Sequence, residues 1–174
     1  MTINDQDMSL AFRQAMRSFA GNVSVITVGE GEERSGLVAT STVSLSVEPA
    51  MMLVCVNRSA SSWPLFARYR HFGVNALRPD QKPIAERFSG KGGVKGADRY
   101  ALGKWRAGET GAPLLQGAAV AIDCAIEDMI EWTTHSILIG RVRSVEIGDA
   151  SAALVYWQGD YRPLVAENLG FSSV

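Results

Sequence analysis

Gly36-Leu37-Val38-Ala39-Thr40-Ser41-Thr42-Val43-Ser44-Leu45-Ser46 mixes aliphatic residues with hydroxyls, and six of its eleven residues are Gly, Ser or Thr. Its β-branched content predicts a strand, Leu37 to Val47, the second arm of a hairpin whose first arm is Asn22 to Val28. The polar run GEGEERSG, Gly29 to Gly36, is the loop between them. Side chains on a strand alternate between two faces, and these hydroxyls occupy even and odd positions, so one face cannot carry them all. Hydroxyl and backbone donors beside a glycine suit a phosphate or the polar edge of a heterocycle. A Thr/Ser-rich solvated edge strand has the same composition, and on the residues alone both readings stand.

Upstream, Asp7 can cap a helix whose Met8, Phe12, Ala15, Met16 and Phe19 share one face, with Gly21 as its stop. Such a face is expected to lie on the core. Downstream, Glu48-Pro49 ends the hairpin, Met51 to Asn57 is a short buried strand, and Pro64 to Tyr69 has room for about two helical turns. Phe72 to Leu77 is a strand, and Asp80 to Phe88 a helix capped by Asp80 with Ile84, Ala85 and Phe88 on one side. Residues 89 to 113 are glycine-rich and aperiodic, predicting a long loop with one turn of helix. Ala118 to Ile126, Ser136 to Ile147 and Ala153 to Gln158 are three further strands. This spacing predicts a mainly β fold, one antiparallel barrel with two or three peripheral helices.

The chain has 174 residues, the size of one ordinary domain, and 47% of them are hydrophobic, enough for a core without staples. Seventeen basic residues against eighteen acidic ones leave a net charge of −1, which argues against a nucleic-acid partner. The longest uncharged stretches, Ser35 to Val47 and Thr110 to Ile122, fall short of the roughly 18 residues of a membrane span. The acidic start MTINDQDMSL is unlike a signal peptide, so the expected location is cytoplasmic. Cys55 and Cys124 sit in separate apolar runs and are expected to be buried thiols. His71 and His135, the two histidines, are in no metal-binding spacing, and no metal is expected.

Three more places could carry chemistry. Asn57-Arg58-Ser59-Ala60-Ser61-Ser62 leaves a buried strand and enters a helix, a setting for an anion, and helix capping explains one serine rather than three. Arg87-Phe88-Ser89-Gly90-Lys91 opens a span, Glu86 to Arg106, with six basic residues against Glu86 and Asp98, a local charge of +4. It reads as a phosphate clamp or as a solvated loop; GKGGVKG fails the P-loop pattern, which excludes a kinase or NTPase on that motif. His135 follows Trp132-Thr133-Thr134 and precedes a strand; by itself it reads as a capping or surface residue.

Taken in order, these pieces resemble the flavin reductase family of FMN-binding split barrels, the small reductase components of two-component flavin monooxygenases. The resemblance runs from about Phe12 to Arg162, within one domain spanning residues 1–174. It is carried by Arg17-Ser18-Phe19-Ala20-Gly21-Asn22-Val23, Gly36 through Ser46 with Glu48-Pro49, Cys55 to Ser59, and Phe72-Gly73-Val74-Asn75-Ala76-Leu77. Gln81, Ala85-Glu86-Arg87-Phe88-Ser89, Gly111 to Leu115, the His135 segment with Gly140-Arg141-Val142, and Leu154-Val155-Tyr156 complete it.

The resemblance implies hydride transfer from NADH or NADPH to FMN or FAD at a homodimer interface, with reduced flavin passed to an oxygenase component. It implies that Val38, Ala39, Thr40, Ser41 and Ser44 border the isoalloxazine and ribityl chain. Asn57, Arg58, Ser59, Ser61, Ser62, Arg87, Phe88, Ser89 and Lys91 would then hold the phosphate end. His135 matches the histidine of the family's Gly-Asp-His motif, a nicotinamide-side contact, although this chain has Thr133-Thr134 before it and Val38 where the family commonly has threonine. A split-barrel reductase with tightly bound flavin acting on a cobalt corrinoid or ferric iron, and a flavin-binding module without turnover, are the competing readings.

Overall fold

The computed structural model describes residues 4–149 and 151–165. The expected strand Leu37 to Val47 is in fact two strands, β3 (Ser35–Ala39) and β4 (Thr42–Ser46), separated at Thr40-Ser41. They lie at opposite edges of a seven-stranded antiparallel sheet in the order β3-β2-β6-β9-β10-β5-β4. The remaining strands of that sheet are β2 (Ser24–Val28), β5 (Met51–Asn57), β6 (His71–Ala76), β9 (Val120–Trp132) and β10 (His135–Ile147). Two residues can join opposite edges only if the sheet curls round, so the sheet forms the expected mainly β split barrel. The break also answers the hydroxyl puzzle, because the mixed parity belongs to two strands rather than one.

The curled sheet encloses Ile26, Val54, Val56, Phe72, Val74, Cys124, Ile126 and Leu138, capped by Phe66 of helix α2 (Trp63–Tyr69). Phe66, Phe72, Ile26 and Leu138 are fully buried, each worth about 1.5–3 kcal/mol of transfer free energy. Gly140 on β10 is required by this packing: a Cβ there would lie 2.5 Å from the Phe72 ring. A second cluster, around Val25, Leu77, Leu114 and Leu154, binds the barrel to helix α3 (Lys82–Phe88).

Two smaller sheets flank the barrel. β1 (Gly21–Asn22), β11 (Ala152–Trp157) and β12 (Asp160–Val165) form one, with Gly21 and Tyr161 both paired to Tyr156. β7 (Trp105–Ala107) and β8 (Pro113–Leu115) form the other. The segment 89–113 is therefore more ordered than a loop, with 3-10 turns at Lys91–Gly93 and Gly96–Ala101 before that hairpin. The second turn covers the free edge of β3: Tyr100 donates its hydroxyl to the Ser35 carbonyl at 2.5 Å, and Arg99 Nη1 donates to the Gly36 carbonyl.

Helix α1 (Asp5–Met16) forms where expected, but it does not lie on the core. None of its residues is buried, and Phe12 and the neighbouring Phe19 are 65% and 68% exposed. Amphipathic spacing states that a face needs cover and not what supplies it. Its cap is Asn4, whose side chain accepts from Asp7 N–H, rather than Asp7. Asp80 likewise caps no α-helix; it lies in a 3-10 turn, Pro79–Gln81, and pairs with Arg78 at 2.7 Å. Among the described residues no helix is long and apolar enough to cross a membrane. Cys124 is buried, its thiol pushed up to about 12 by desolvation and then by Asp123, while Cys55 is only partly covered.

Candidate functional site

The residues singled out in the sequence divide into two groups joined by one serine. In the first, Val38, Ala39 and Thr40, at the end of β3, meet Ser89, at the C-terminal end of α3, around a cavity of about 270 Å³. Residues 38–40 and 89 are brought together because α3 packs on β2 and β3 through Phe88, whose ring lies within van der Waals reach of Gly36. Phe88 itself is 1% exposed and held against Tyr100 and Trp105, at centroid distances of 5.0 and 5.5 Å. Its ring is a packing element, so only its backbone is left to meet a ligand.

Tyr156 and Tyr161 complete the walls of this cavity, and neither was among the sequence candidates. They form a cross-strand pair with ring centroids 5.4 Å apart, and burial raises the Tyr161 hydroxyl above its ordinary pKa. The signal was present: two tyrosines flanking Gln158-Gly159 read as a hairpin with facing rings. The expected elements end at Gln158, so the second arm is missing from them; it is the edge strand β12, where Pro163 is tolerated. The cavity adjoins a second one of about 570 Å³ that shares Thr40 and Tyr156 and is lined beyond them by Arg13, Met16, Arg17 and Phe19.

The second group gathers at the tip of the β9–β10 hairpin. Asn57, Arg58 and Ser59 line a cavity of about 510 Å³ with Trp63, Thr133 and Thr134. Asn57 Oδ1 accepts from Ser59 N–H at 2.9 Å and from Ser59 Oγ at 2.8 Å, which turns the chain out of β5. Arg58 is tied to Glu131 at 2.9 Å and lies over the Trp63 ring. His135 is paired with Asn57 across the strands; it is exposed, and its Nδ1 is 2.8 Å from Thr134 Oγ1. Thr133 takes the left-handed turn conformation (φ 50°) that Thr133-Thr134 must supply in a two-residue hairpin.

Ser41 links the two groups, donating to the Cys55 carbonyl at 3.1 Å, two residues before Asn57. Ser44 stands exposed on β4 opposite Met52, and Ser61 is exposed at the start of the α2 turn. Lys91 is 3.5 Å from Glu86, on the surface.

Two donors close to these clusters have unspent hydrogen-bond capacity. Ser62 is fully buried and its Oγ has no partner; Arg87 Nε is buried and also unpartnered, although Arg87 Nη2 donates to the Asp98 carbonyl. Buried polar groups are normally satisfied, and an orphan costs about 1–3 kcal/mol. Donors left over beside hydroxyls and cations fit an anionic, hydrogen-bonding ligand.

The pattern of the flavin reductase like domain family matches residues 16–165 of this chain. The chain is similar to the FMN reductase (NADH) RutF of Enterobacter sp. (strain 638), with 36% identity over 154 residues covering 88% of this chain and 93% of that protein. To the protein of the same name from Stutzerimonas stutzeri it is 39% identical over 153 residues, covering 88% and 87%. Among solved structures, BorF, the flavin reductase component of a bacterial two-component tryptophan halogenase, superposes with a TM-score of 0.83 at 33% identity, covering 91% of this chain and 99% of that one. The Streptomyces globisporus NADH:FAD oxidoreductase SgcE6, solved with NAD and FAD fragments, gives 0.83 at 27% identity, covering 97% and 99%.

Proposed function

The chain belongs to the flavin reductase like family, and on that premise we propose that the cavity bounded by Val38, Ala39, Thr40 and Ser89 is where it holds flavin. The protein is an oxidoreductase that uses reduced nicotinamide to reduce FMN or FAD. The observation that carries the site assignment is the meeting of two segments fifty residues apart, one rich in hydroxyls and one basic, around a single cavity.

When bound, the flavin would supply the redox chemistry, as the hydride acceptor from reduced nicotinamide. The chain's own work is to bind and orient. Val38 and Ala39 offer an apolar wall, Tyr156 and Tyr161 a second one, and Ser41, fixed through Cys55, keeps lone pairs free to accept from a polar ring edge. Arg87, Ser89 and Lys91 supply charge and donors for the phosphate end, as do Ser59 and Ser62 from the other side. His135, whose side chain is exposed beside Asn57, takes the nicotinamide side. Hydride transfer between two bound ligands would need no acid–base pair from the protein, whose part is to hold them in contact.

The working unit in this reading is a homodimer. At about 270 Å³ the cavity is smaller than the ~300–1,000 Å³ usual for ligand sites. Beside it lie the exposed Met16 and Phe19, with Val43 and Leu45 uncovered on β4 and Val47 just after it. A second copy would bury these side chains and deepen the site. In this reading the chain would serve a separate oxygenase component with reduced flavin; BorF is likewise named as one component of a two-component enzyme, a tryptophan halogenase.

Loss of absorbance at 340 nm tests the activity. NADH oxidation is expected to require added FMN or FAD, and no decrease with either flavin would overturn the reading. His135→Ala is expected to raise the KM for NADH at least several-fold more than the Kd for flavin; equal effects would remove His135 from the nicotinamide side. Gel filtration should give twice the 18.8 kDa chain mass.

A further inference from the structure

Arg99 is 8% exposed, and its guanidinium bonds only to backbone carbonyls: Nε donates to Val94 at 3.1 Å and Nη1 donates to Gly36. Among the described residues it has no carboxylate within ion-pair distance. A buried charge is costly unless paired, and here the neighbours add to the cost. The Arg34 guanidinium lies 4.7 Å from the centroid of the adjacent Tyr100 ring, and Arg87 reaches the carbonyl of Asp98. The nearby acids do not relieve it, since Glu86 faces Lys91 and Asp98 is in no ion pair among the described residues. Desolvation pulls the Arg99 pKa below the usual arginine range, with Tyr100 opposing it weakly.

The free end of this guanidinium lies beside Gly90, next in the chain to the cavity-lining Ser89. Nη2 has no partner among the described residues, and a Cβ built on Gly90 would stand 3.6 Å from it. Gly90 follows Ser89, which lines the cavity, and Gly36 lies two residues before Val38, which lines it from the opposite side. Arg99 thus spans from behind one wall to the loop of the other. Gly90, at a φ of 80° that favours glycine, carries no side chain to block the approach of an anion.

We propose that Arg99 is a specificity-determining residue of the flavin site, the buried cation that selects a flavin bearing a phosphate over one without it. This rests on the assignment of the phosphate end to Ser89–Lys91. A buried cation differs from Lys91, whose side chain is 73% exposed, in a way that can be measured. Salt at 0.5 M screens exposed charges beyond about 4–5 Å and leaves buried ones largely unscreened.

The test is flavin-fluorescence titration of the intact protein with FMN and with riboflavin, at low salt and at 0.5 M KCl. Unmutated protein should bind FMN at least ~10-fold more tightly than riboflavin, and most of that ratio should survive 0.5 M KCl. Arg99→Gln keeps donors for the two carbonyls and removes the charge; it should weaken FMN about 10-fold while moving riboflavin less than about 2-fold, and Arg99→Lys should recover most of the ratio. A purely structural Arg99 would weaken both flavins alike and leave the ratio unchanged, which would overturn the proposal. A ratio that collapses in salt would also overturn it, assigning selection to surface cations, and this arm needs no variant to fold. If the unmutated protein prefers FMN no more than riboflavin, the phosphate assignment fails. If it discriminates and Arg99→Gln does so equally, only the role of Arg99 fails.

Discussion

Asn75 and Asp123 are as deeply buried as Ser62, yet their surroundings are bonded differently. Asn75 Nδ2 donates to the Val25 carbonyl at 3.1 Å and to Thr27 Oγ1 at 3.3 Å, and its Oδ1 accepts from Leu115 N–H at 2.7 Å. Asp123 takes the N–H and hydroxyl of Thr110 at 2.7 and 2.5 Å, and the Thr110 carbonyl is 2.7 Å from His71 Nδ1. His71 Nε2 accepts from Gly29 N–H at 3.2 Å, leaving Nδ1 to donate. In that network each group meets another from a distant strand, and it locks β2, β6, β8 and β9 together. Near the two clusters of candidate residues the pattern reverses: Ser62 Oγ, next to Trp63, and Arg87 Nε, two residues before Ser89, are unpartnered, and Arg99 has no counter-ion among the described residues. Polar groups with their bonds made hold this fold, whereas Ser62 and Arg87, with bonds to spare, lie by the segments proposed to hold flavin.

Substitutions in the two regions should therefore separate stability from binding. The largest effect is expected for Asn75→Ala, which strips partners from Leu115 N–H and the Val25 carbonyl; about 3 kcal/mol of unfolding free energy should be lost in urea titration. Flavin affinity of the folded fraction should stay within about 2-fold. A loss below about 1 kcal/mol would break the contrast.

Ser62→Ala removes no hydrogen bond seen in the protein. Its stability should stay within ~0.5 kcal/mol of the original, while FMN binding weakens about 5- to 10-fold, or 1–1.4 kcal/mol. If Ser62→Ala destabilised the protein as Asn75→Ala does, the hydroxyl would have to be structural.

The smallest effect is expected on the surface, away from both regions. The Tyr69 hydroxyl, donating to Glu33 at 2.5 Å, and then Arg68 hold the Glu33 carboxyl below its ordinary pKa. A carboxyl lowered on folding favours the folded state above its unfolded pKa, and that contribution disappears as pH falls through the folded value. Tyr69→Phe should let the Glu33 titration, followed by NMR, move up toward the ordinary value. An unchanged midpoint would place the cause with Arg68 alone.

Much of the fold was legible because periodicity is local. The strands at Met51–Asn57 and His71–Ala76, and the proline-led α2 helix, fall within a residue or so of their expected bounds. The candidate site was legible as fragments. Val38 to Thr40 and Ser89 were singled out separately, each with a bland alternative, and their meeting around one cavity depends on how α3 packs against β3. Tyr156 lies in an expected strand, but its place in the cavity depends on pairing with Tyr161 of β12, which follows the last element expected from the sequence, and the Phe88 ring is packing because α3 turns it inward. The apolar face of α1 was read correctly as a face and wrongly as core.

By itself the sequence determined element types, the hydroxyl-rich and basic segments, and their order along the chain, since composition and spacing are properties of neighbours. Only the tertiary structure decided that one apparent strand parts at Thr40-Ser41 to become the two edges of a barrel. Only it could bury Arg99 beneath a strand 63 residues earlier and leave its free end beside Gly90. Those outcomes depend on which distant segments share a wall, and sheet closure sets that, because it must pair edges and bury apolar faces over the whole chain at once.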